Sequence, residues 1–307
     1  MDSQIRQFLK YLVLERHYSN HTLKSYTTDL LQFEGYLQSA YRTEKIFWHL
    51  INRNTLRGFL VYLQEEGLSL RSVGRKLATV KSFFKYLARE EVIPKNPAAT
   101  IKMPKFDKKL PEFISPDEIE KVFKTITGTS FEDIRDLCIL ELFYGTGMRL
   151  SELINLKVSD IYFKENLIRL IGKGNKERIV PFGSFAKRIL EKYMQFRTQI
   201  APGNVDNIFV LKNGKKMYPA AIQRLVKKYL TTASSTHKKS PHILRHTFAT
   251  HLLNKGASIR VVKDLLGHES LSTTQVYTHI SIDHLKKVYN QTHPGSLNKS
   301  KSKLRRS

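Results

Sequence analysis

A stretch rich in proline and lysine separates two parts of the sequence whose apolar residues follow different patterns. Within residues 1–102 the apolar residues recur at steps of three and four, which is the period of one helix face. The stretch contains prolines, which interrupt helices, and lysines, which favour solvent: Pro94, Pro97, Pro104, Pro111, Lys102, Lys105, Lys108 and Lys109. We therefore predict a helical domain over 1–102, a basic linker over 103–111, a second domain over 112–290 and a basic tail over 291–307.

The most informative helical pattern of the first part begins after Ser69. Its apolar face consists of Val73, Leu77, Val80, Phe84 and Leu87. The basic residues fall largely on the rest of the helix, and the first acid comes only at its end: Arg71, Arg75, Lys76, Lys81, Lys85, Arg89 and then Glu90. A merely solvated face would usually mix both signs, so this pattern favours a helix that lies along phosphates. The candidate DNA contacts are Arg71, Arg75, Lys76 and Lys81, together with Lys105 of the linker and Lys176 of a later glycine-rich turn.

The second part mixes helices with a few short strands. Ser115–Glu118 is typical of a helix start, with proline at the first helical position and acids in the first turn. Three β-type runs follow at 161–163, 167–171 and 178–180, separated by short polar turns. Helical patterns then resume at 184–197, 219–232, 242–254 and 258–266. The predicted fold class is mainly α with a small antiparallel β-sheet (α+β).

The charge of the chain indicates a polyanionic partner. Its 307 residues include 52 Lys+Arg against 27 Asp+Glu, a net charge of +25, and nucleic acid is the commonest partner of so basic a surface. An acidic membrane surface is the alternative, but no basic amphipathic anchor accompanies the charge. The lone Cys138 fits a reducing compartment, and the N-terminus has no signal-peptide pattern. We expect a cytoplasmic protein.

Six residues in four short fragments carry the chemistry. Arg149 lies in Gly145–Leu153, Lys173 in a glycine turn, and Tyr277 follows Leu266-Gly267-His268. His242 and Arg245 lie three residues apart and so share one helix face. His242 and His246 have the spacing of a zinc pair, but no third ligand accompanies them. Neither Gly145-x-Gly147 nor Gly172-Lys173-Gly174 completes a nucleotide-binding loop. Since both the third metal ligand and the nucleotide loop are missing from the pattern, we expect no metal and no cofactor.

Together these residues form an inventory for attack on a phosphodiester. Arginine offers a planar, permanently charged fork that matches phosphate oxygens and neutralises the charge of a pentacoordinate phosphorus. Histidine relays protons near neutral pH, and lysine can protonate a departing hydroxyl. A tyrosine, with a pKa of about 10 in model peptides, becomes a nucleophile when cations lie nearby.

The six residues, in this order, resemble the tyrosine recombinase (integrase) family. The likeness is strongest to its Xer branch, because of the runs Leu244–Leu253 and Thr274–His279 around the catalytic positions. It covers nearly the whole chain. The resemblance implies a two-domain, C-shaped DNA clamp, built from a helical core-binding (SAM-like) N-domain and a catalytic domain.

The resemblance also implies a role for each residue. Arg149 and Arg245 bind the scissile phosphate, His242 and His268 help to hold it, and Lys173 is the general acid. Lys176 is the competing candidate for the acid. Tyr277 attacks and leaves a 3′-phosphotyrosyl link and a free 5′-hydroxyl, with no need for ATP or metal.

The family assembles as a tetramer on DNA and exchanges strands through a Holliday junction. We therefore expect partners of the same kind, either copies of this chain or a second recombinase, and docking of Leu285–Tyr289 on a neighbouring subunit. Chromosome dimer resolution is the implied role. Alternatives are a phage or mobile-element integrase, a type IB topoisomerase-like enzyme and a basic DNA-binding protein without catalysis.

Overall fold

The computed structural model describes residues 1–102, 112–172, 175–201, 203, 205–267 and 286–291. The predicted linker at 103–111 and most of the predicted tail lie outside the described residues. The chain divides into two compact units, Met1–Lys109 and Leu110–Ser307, each with its own apolar core. None of the described helices has the length and apolar character needed to cross a membrane.

The described part of the first unit is helical, as predicted. Its helices are α1 (Ser3–Leu14), α2 (Asn20–Tyr41), α3 (Arg53–Glu65) and α4 (Leu70–Arg89). Each begins at a side-chain oxygen that accepts from a backbone N–H of the first turn, supplied by Asp2, Ser19, Asn52 and Ser69 in chain order. These caps explain where the helices begin, because the first N–H groups of a helix have no partner within it.

Aromatic residues form the centre of the first core. The Phe33 and Phe59 rings lie 4.8 Å apart, and Trp48 meets Phe83 edge-on at 4.9 Å. The predicted apolar face of α4 is buried at every position, which confirms the pattern: Val73, Leu77, Val80, Phe84 and Leu87. The hydrophobic effect therefore orients α4 and leaves its other faces for polar contacts.

The second unit contains seven helices that are described from end to end, a further helical stretch at 286–291 and a small sheet. The helices are α5 (Pro116–Lys124), α6 (Phe131–Thr146), α7 (Leu150–Asn155), α8 (Ser184–Ile200), α9 (Pro219–Ala233), α10 (Pro241–Asn254) and α11 (Ile259–Leu266). The strands β1 (Ile161–Tyr162), β2 (Leu167–Ile171) and β3 (Glu177–Pro181) pair antiparallel in chain order. Both the predicted sheet and the α+β fold class are confirmed.

Helix α6 forms the centre of the second unit and packs against α8 and α10. It is buried on nearly all sides, and its buried residues include the charged Arg135, Asp136 and Glu141. Cys138 lies buried within it, and burial raises the pKa of its thiol well above the usual value. The helix ends at Gly147, whose φ is +62° and where a Cβ would lie 2.4 Å from Phe248. Only glycine fits this turn, and the turn directs the chain toward Arg149.

Residues 286–291 are helical, and Tyr289 is fully buried in the core of the second unit. A Cβ on Gly145 of α6 would lie 3.5 Å from Tyr289 Oη. We expected Leu285–Tyr289 to dock on a neighbouring subunit. In this structure Tyr289 instead packs into the core of its own unit. Leu285 lies outside the described residues.

Candidate active site

Three arginines from different elements meet at the C-terminal end of α11. Arg178 Nε, Arg245 Nη2 and Arg149 Nη2 donate to the carbonyls of Leu265, Leu266 and Gly267, over 2.9, 2.7 and 2.9 Å in that order. The last carbonyls of a helix have no partner within it and form the negative end of its dipole. The end of α11 thus gathers three positive charges at one place.

Arg149 is held from two sides by the fold. It is the N-cap residue of α7, and its Nη1 donates to Glu152 Oε1 at 2.8 Å. Its side chain is about one-third exposed. Arginine has five N–H donors, and the two bonds to Glu152 and Gly267 leave donors that can meet an external anion.

Arg245 is more deeply placed than Arg149. It lies on α10 and donates from Nη1 to the Gly147 carbonyl at 2.5 Å, in addition to its bond with Leu266. Burial, with the neighbouring charges of Arg149 and Arg178, lowers its pKa to about 10. The group is therefore still positive at neutral pH, and an anion would relieve the repulsion.

Glu152 is a site residue to which we assigned no role from the sequence. It is almost fully buried, and its carboxylate accepts from Arg149 N, Arg149 Nη1, Arg178 Nη1 and Arg178 Nη2 at 2.6–2.8 Å. Burial alone would raise its pKa, but the hydrogen bonds and charge of Arg178, with those of Arg149, outweigh it and lower the pKa to about 2. A glutamate three residues after the N-cap was the available signal, because its carboxylate can accept from the N-cap N–H.

Charge remains unbalanced among these four side chains. Three arginines face one carboxylate, which leaves a net charge of +2. An incoming anion such as a phosphodiester balances this charge, and arginine forks match its oxygens. A fixed set of donors with this excess of positive charge suits the binding of a phosphate.

The ionised state of Glu152 predicts a specific acid sensitivity. Because the fold lowers the pKa of Glu152, its ionised carboxylate stabilises the protein at pH values above its usual pKa of 4.5. This contribution is lost as the pH falls toward 2. The shift corresponds to stabilisation on the order of 3 kcal/mol. We expect Glu152→Gln to lower the free energy of unfolding in urea at pH 7, and the difference from wild type to shrink between pH 5 and pH 3. A difference that stays constant over this range would contradict the assignment.

His242 lies in the first turn of α10, behind Pro241, and its side chain is exposed. It precedes Arg245 by three residues, so the two share a helix face as predicted. His246 is half-buried. Within the described ranges, no three His, Cys, Asp or Glu side chains cluster as a metal-ligand set.

Three of the predicted catalytic residues, Lys173, His268 and Tyr277, lie outside the described residues. The described residues on either side of Lys173 define the base of its turn, because Gly172 N donates to the Lys176 carbonyl at 2.8 Å. The side chain of Lys176 is exposed. Of the predicted catalytic residues, the structure brings Arg149 and Arg245 together at the end of α11. It adds Glu152 and Arg178 to this cluster, two residues that we had not assigned to the site from the sequence.

The predicted DNA contacts on α4 differ in their surroundings. Arg71 is exposed, Lys81 is half-buried, and the half-exposed Arg75 forms an ion pair with Asp29 of α2. Lys76 is buried, and its Nζ lies 3.0 Å from Asp29 Oδ1. This burial argues against the predicted phosphate contact of Lys76, because its ammonium is held inside the unit by a buried carboxylate. Lys105 lies outside the described residues.

Two family models match the chain. The model described as phage integrase family matches residues 112–284, and the one described as phage integrase, N-terminal SAM-like domain matches residues 5–91. The chain belongs to the phage integrase family. These matches confirm the resemblance to the tyrosine recombinase (integrase) family that the sequence motifs indicated.

Relatives within the family match over almost their full length. Tyrosine recombinase XerC of Oceanobacillus iheyensis is 42% identical over 300 residues, which cover 96% of this chain and 97% of that protein. Tyrosine recombinase XerC of Chlorobaculum parvum is 37% identical over 317 residues, with 95% and 94% covered. Among solved structures, the XerH site-specific recombinase bound to palindromic difH substrate in a post-cleavage complex has a TM-score of 0.70 and 26% identity, with 93% of this chain and 83% of that chain covered.

Proposed function

We propose that this chain is a site-specific DNA recombinase of the Xer type, in which Tyr277 attacks a phosphodiester held by Arg149 and Arg245. The observation that carries this proposal is the pair of arginines anchored on the adjacent carbonyls of Leu266 and Gly267. The protein's own backbone holds both guanidinium groups in place, which is the kind of fixed donor arrangement that stabilises a developing charge. The XerC relatives, 37–42% identical over most of the chain, support the type of reaction.

The proposed chemistry is a transesterification. Tyr277 Oη forms a bond to phosphorus while the bond from phosphorus to the 5′-oxygen breaks, and the 5′-oxygen leaves with a proton from Lys173. His242 and His268 help to hold the phosphate, and one of these histidines accepts the proton that the Tyr277 hydroxyl loses as it attacks. A 5′-hydroxyl from a second duplex then attacks the phosphotyrosyl link and restores the phosphodiester. One ester replaces another at each step, so the exchange consumes no ATP.

The identity of the general acid has a direct test. We expect Lys173→Ala to slow cleavage of an ordinary DNA site by about 100-fold or more, because general acid catalysis contributes on that order. A substrate with sulfur in place of the bridging 5′-oxygen should be cleaved at nearly the wild-type rate, since a thiolate leaves without a proton. Lys176→Ala is the matched control from the same turn. If Lys176→Ala is the variant rescued by sulfur, the acid is Lys176.

A DNA surface on the first unit is part of the proposal. A depression between α2 and α4 is lined by His21, Lys24, Ser25, Thr28, Asp29 and Arg75. Cations and hydroxyls of this kind bind phosphates and base edges. The ion pair with Asp29 restrains the Arg75 guanidinium, which is still half-exposed. We propose Arg71, Arg75, Lys81, Lys105 and Lys176 as DNA contacts, and assign Lys76 to the support of Asp29.

We further propose that the chain resolves chromosome dimers in the cytoplasm, where it assembles with copies of itself or a second recombinase for chromosome partition at cell division. The relatives named tyrosine recombinase XerC, and the XerH site-specific recombinase bound to palindromic difH substrate, support this role. The test is to trap the covalent complex in cells and to sequence the attached DNA. One recurrent chromosomal site is the expected result, whereas the ends of a phage or transposon would overturn this role in favour of an integrase.

A further inference from the structure

Arg178 is the most completely engaged side chain of the arginine cluster. It lies on β3, and its side chain is only 5% exposed. Nη1 and Nη2 donate to Glu152 Oε1 and Oε2 at 2.6 and 2.8 Å, and Nε donates to the Leu265 carbonyl at 2.9 Å. This is the two-pronged geometry in which arginine binds a carboxylate most strongly. A side chain so occupied is not available to bind DNA itself.

We propose that Arg178 is a positioning residue for cleavage, which locks Arg149, the end of α11 and the base of the Lys173 turn into one arrangement. The inference rests on the proposed roles of Arg149 and Lys173. Its first link is Glu152, whose Oε1 accepts from both Arg178 Nη1 and Arg149 Nη1. Arg178 therefore sets the position of the carboxylate that orients Arg149.

The second link is the end of α11. Gly267 has a φ of +64°, and a Cβ there would lie 3.1 Å from Arg178 Cδ. The backbone of Gly267 thus packs directly on the Arg178 side chain, and the Gly267 carbonyl is the acceptor for Arg149. His268 is the next residue in the chain. A displacement of Arg178 would release Gly267 and with it the acceptor of Arg149.

The third link is the turn that carries Lys173. In the β2–β3 ladder, Arg178 pairs with Leu170 and Glu177 pairs with Ile171. Arg178 is the first buried residue of β3 after the turn. The base of the turn is therefore attached to the arginine cluster through Arg178, which binds Glu152.

The test compares Arg178→Lys with Arg169→Lys. Arg169 lies on the neighbouring strand β2 and binds Asp160 through Nε and Nη2 at 3.0 and 2.7 Å, and it makes no described contact with the arginine cluster. Lysine keeps the charge but cannot hold both carboxylate oxygens and the Leu265 carbonyl. We expect Arg178→Lys to bind its DNA site within about 2-fold of wild type and to cleave about 100-fold more slowly in single turnovers, as a small misplacement of catalytic groups does. Arg169→Lys should cleave at the wild-type rate.

A double variant separates positioning from simple charge neutralisation. Glu152→Gln with Arg178→Met removes both buried charges together, so it should recover thermal stability relative to Arg178→Met alone. We expect its cleavage to stay slow, because Arg149 and Gly267 still lack their support. Recovery of cleavage along with stability would overturn the proposal, and so would an Arg178→Lys enzyme that cleaves like Arg169→Lys. Failure of the wild-type chain to form any DNA adduct would instead overturn the proposed function.

Discussion

Tyr277→Phe is expected to abolish the covalent protein–DNA adduct, because it removes the only oxygen of the proposed nucleophile. The substrate is a duplex with a nick near the scissile phosphate, so that cleavage releases a short fragment and religation cannot follow. Wild type should accumulate a denaturation-resistant adduct, and the variant should form none while it still binds DNA. Because the proposed chemistry routes no step through a metal, the wild-type adduct should form equally in EDTA.

Tyr218→Phe is the matched control for this experiment. Tyr218 is an exposed tyrosine whose Oη accepts from Arg224 Nη2 at 2.7 Å, so it also lies beside a guanidinium. Its replacement should leave the adduct unchanged. An adduct that persists in Tyr277→Phe and disappears in another tyrosine variant would move the nucleophile to that residue.

Arg245→Lys is expected to slow cleavage by about 100- to 1000-fold, comparable to the loss of one preorganised donor at a developing charge. Arg245 uses Nη1 and Nη2 to hold the carbonyls of Gly147 and Leu266, and its other donors are left for the phosphate. A lysine has a single nitrogen and cannot both keep these anchors and meet a phosphate in the same geometry. The measurement is the single-turnover cleavage rate at saturating protein.

The control for Arg245→Lys is Arg224→Lys, which changes an exposed arginine bound to Tyr218. It should cleave at the wild-type rate. If Arg245→Lys weakens DNA binding but cleaves at the wild-type rate at saturating protein, the arginine serves ground-state binding and not the transition state.

The elements of the fold were largely predictable from local pattern. The apolar face of α4, the start of α5 at Ser115 and the three-stranded sheet all follow the predictions. These features depend on residues close together in the chain, so periodicity and capping are sufficient to predict them.

The partners of charged residues were much less predictable. Lys76 and Arg75 are neighbours on a basic helix, yet Lys76 is buried and Arg75 is half-exposed. The difference arises because Asp29 of α2 packs against α4, and a helix pattern alone does not show which neighbour will face it. For the same reason Arg178 and Glu152 looked like ordinary charged residues, since their separation in the chain hides the buried contact between them.

The sequence by itself identified the family: Arg149, Lys173, His242, Arg245, His268 and Tyr277 resemble the tyrosine recombinase family in their types and order, and the family model confirms that the chain belongs to it. The tertiary structure decided how the described residues of that set are held in place. The end of α11 collects Arg149, Arg178 and Arg245, and Glu152 joins two of them. Hydrogen bonds at helix ends and charges in a buried environment depend on which elements meet in space, and only the folded chain brings them together.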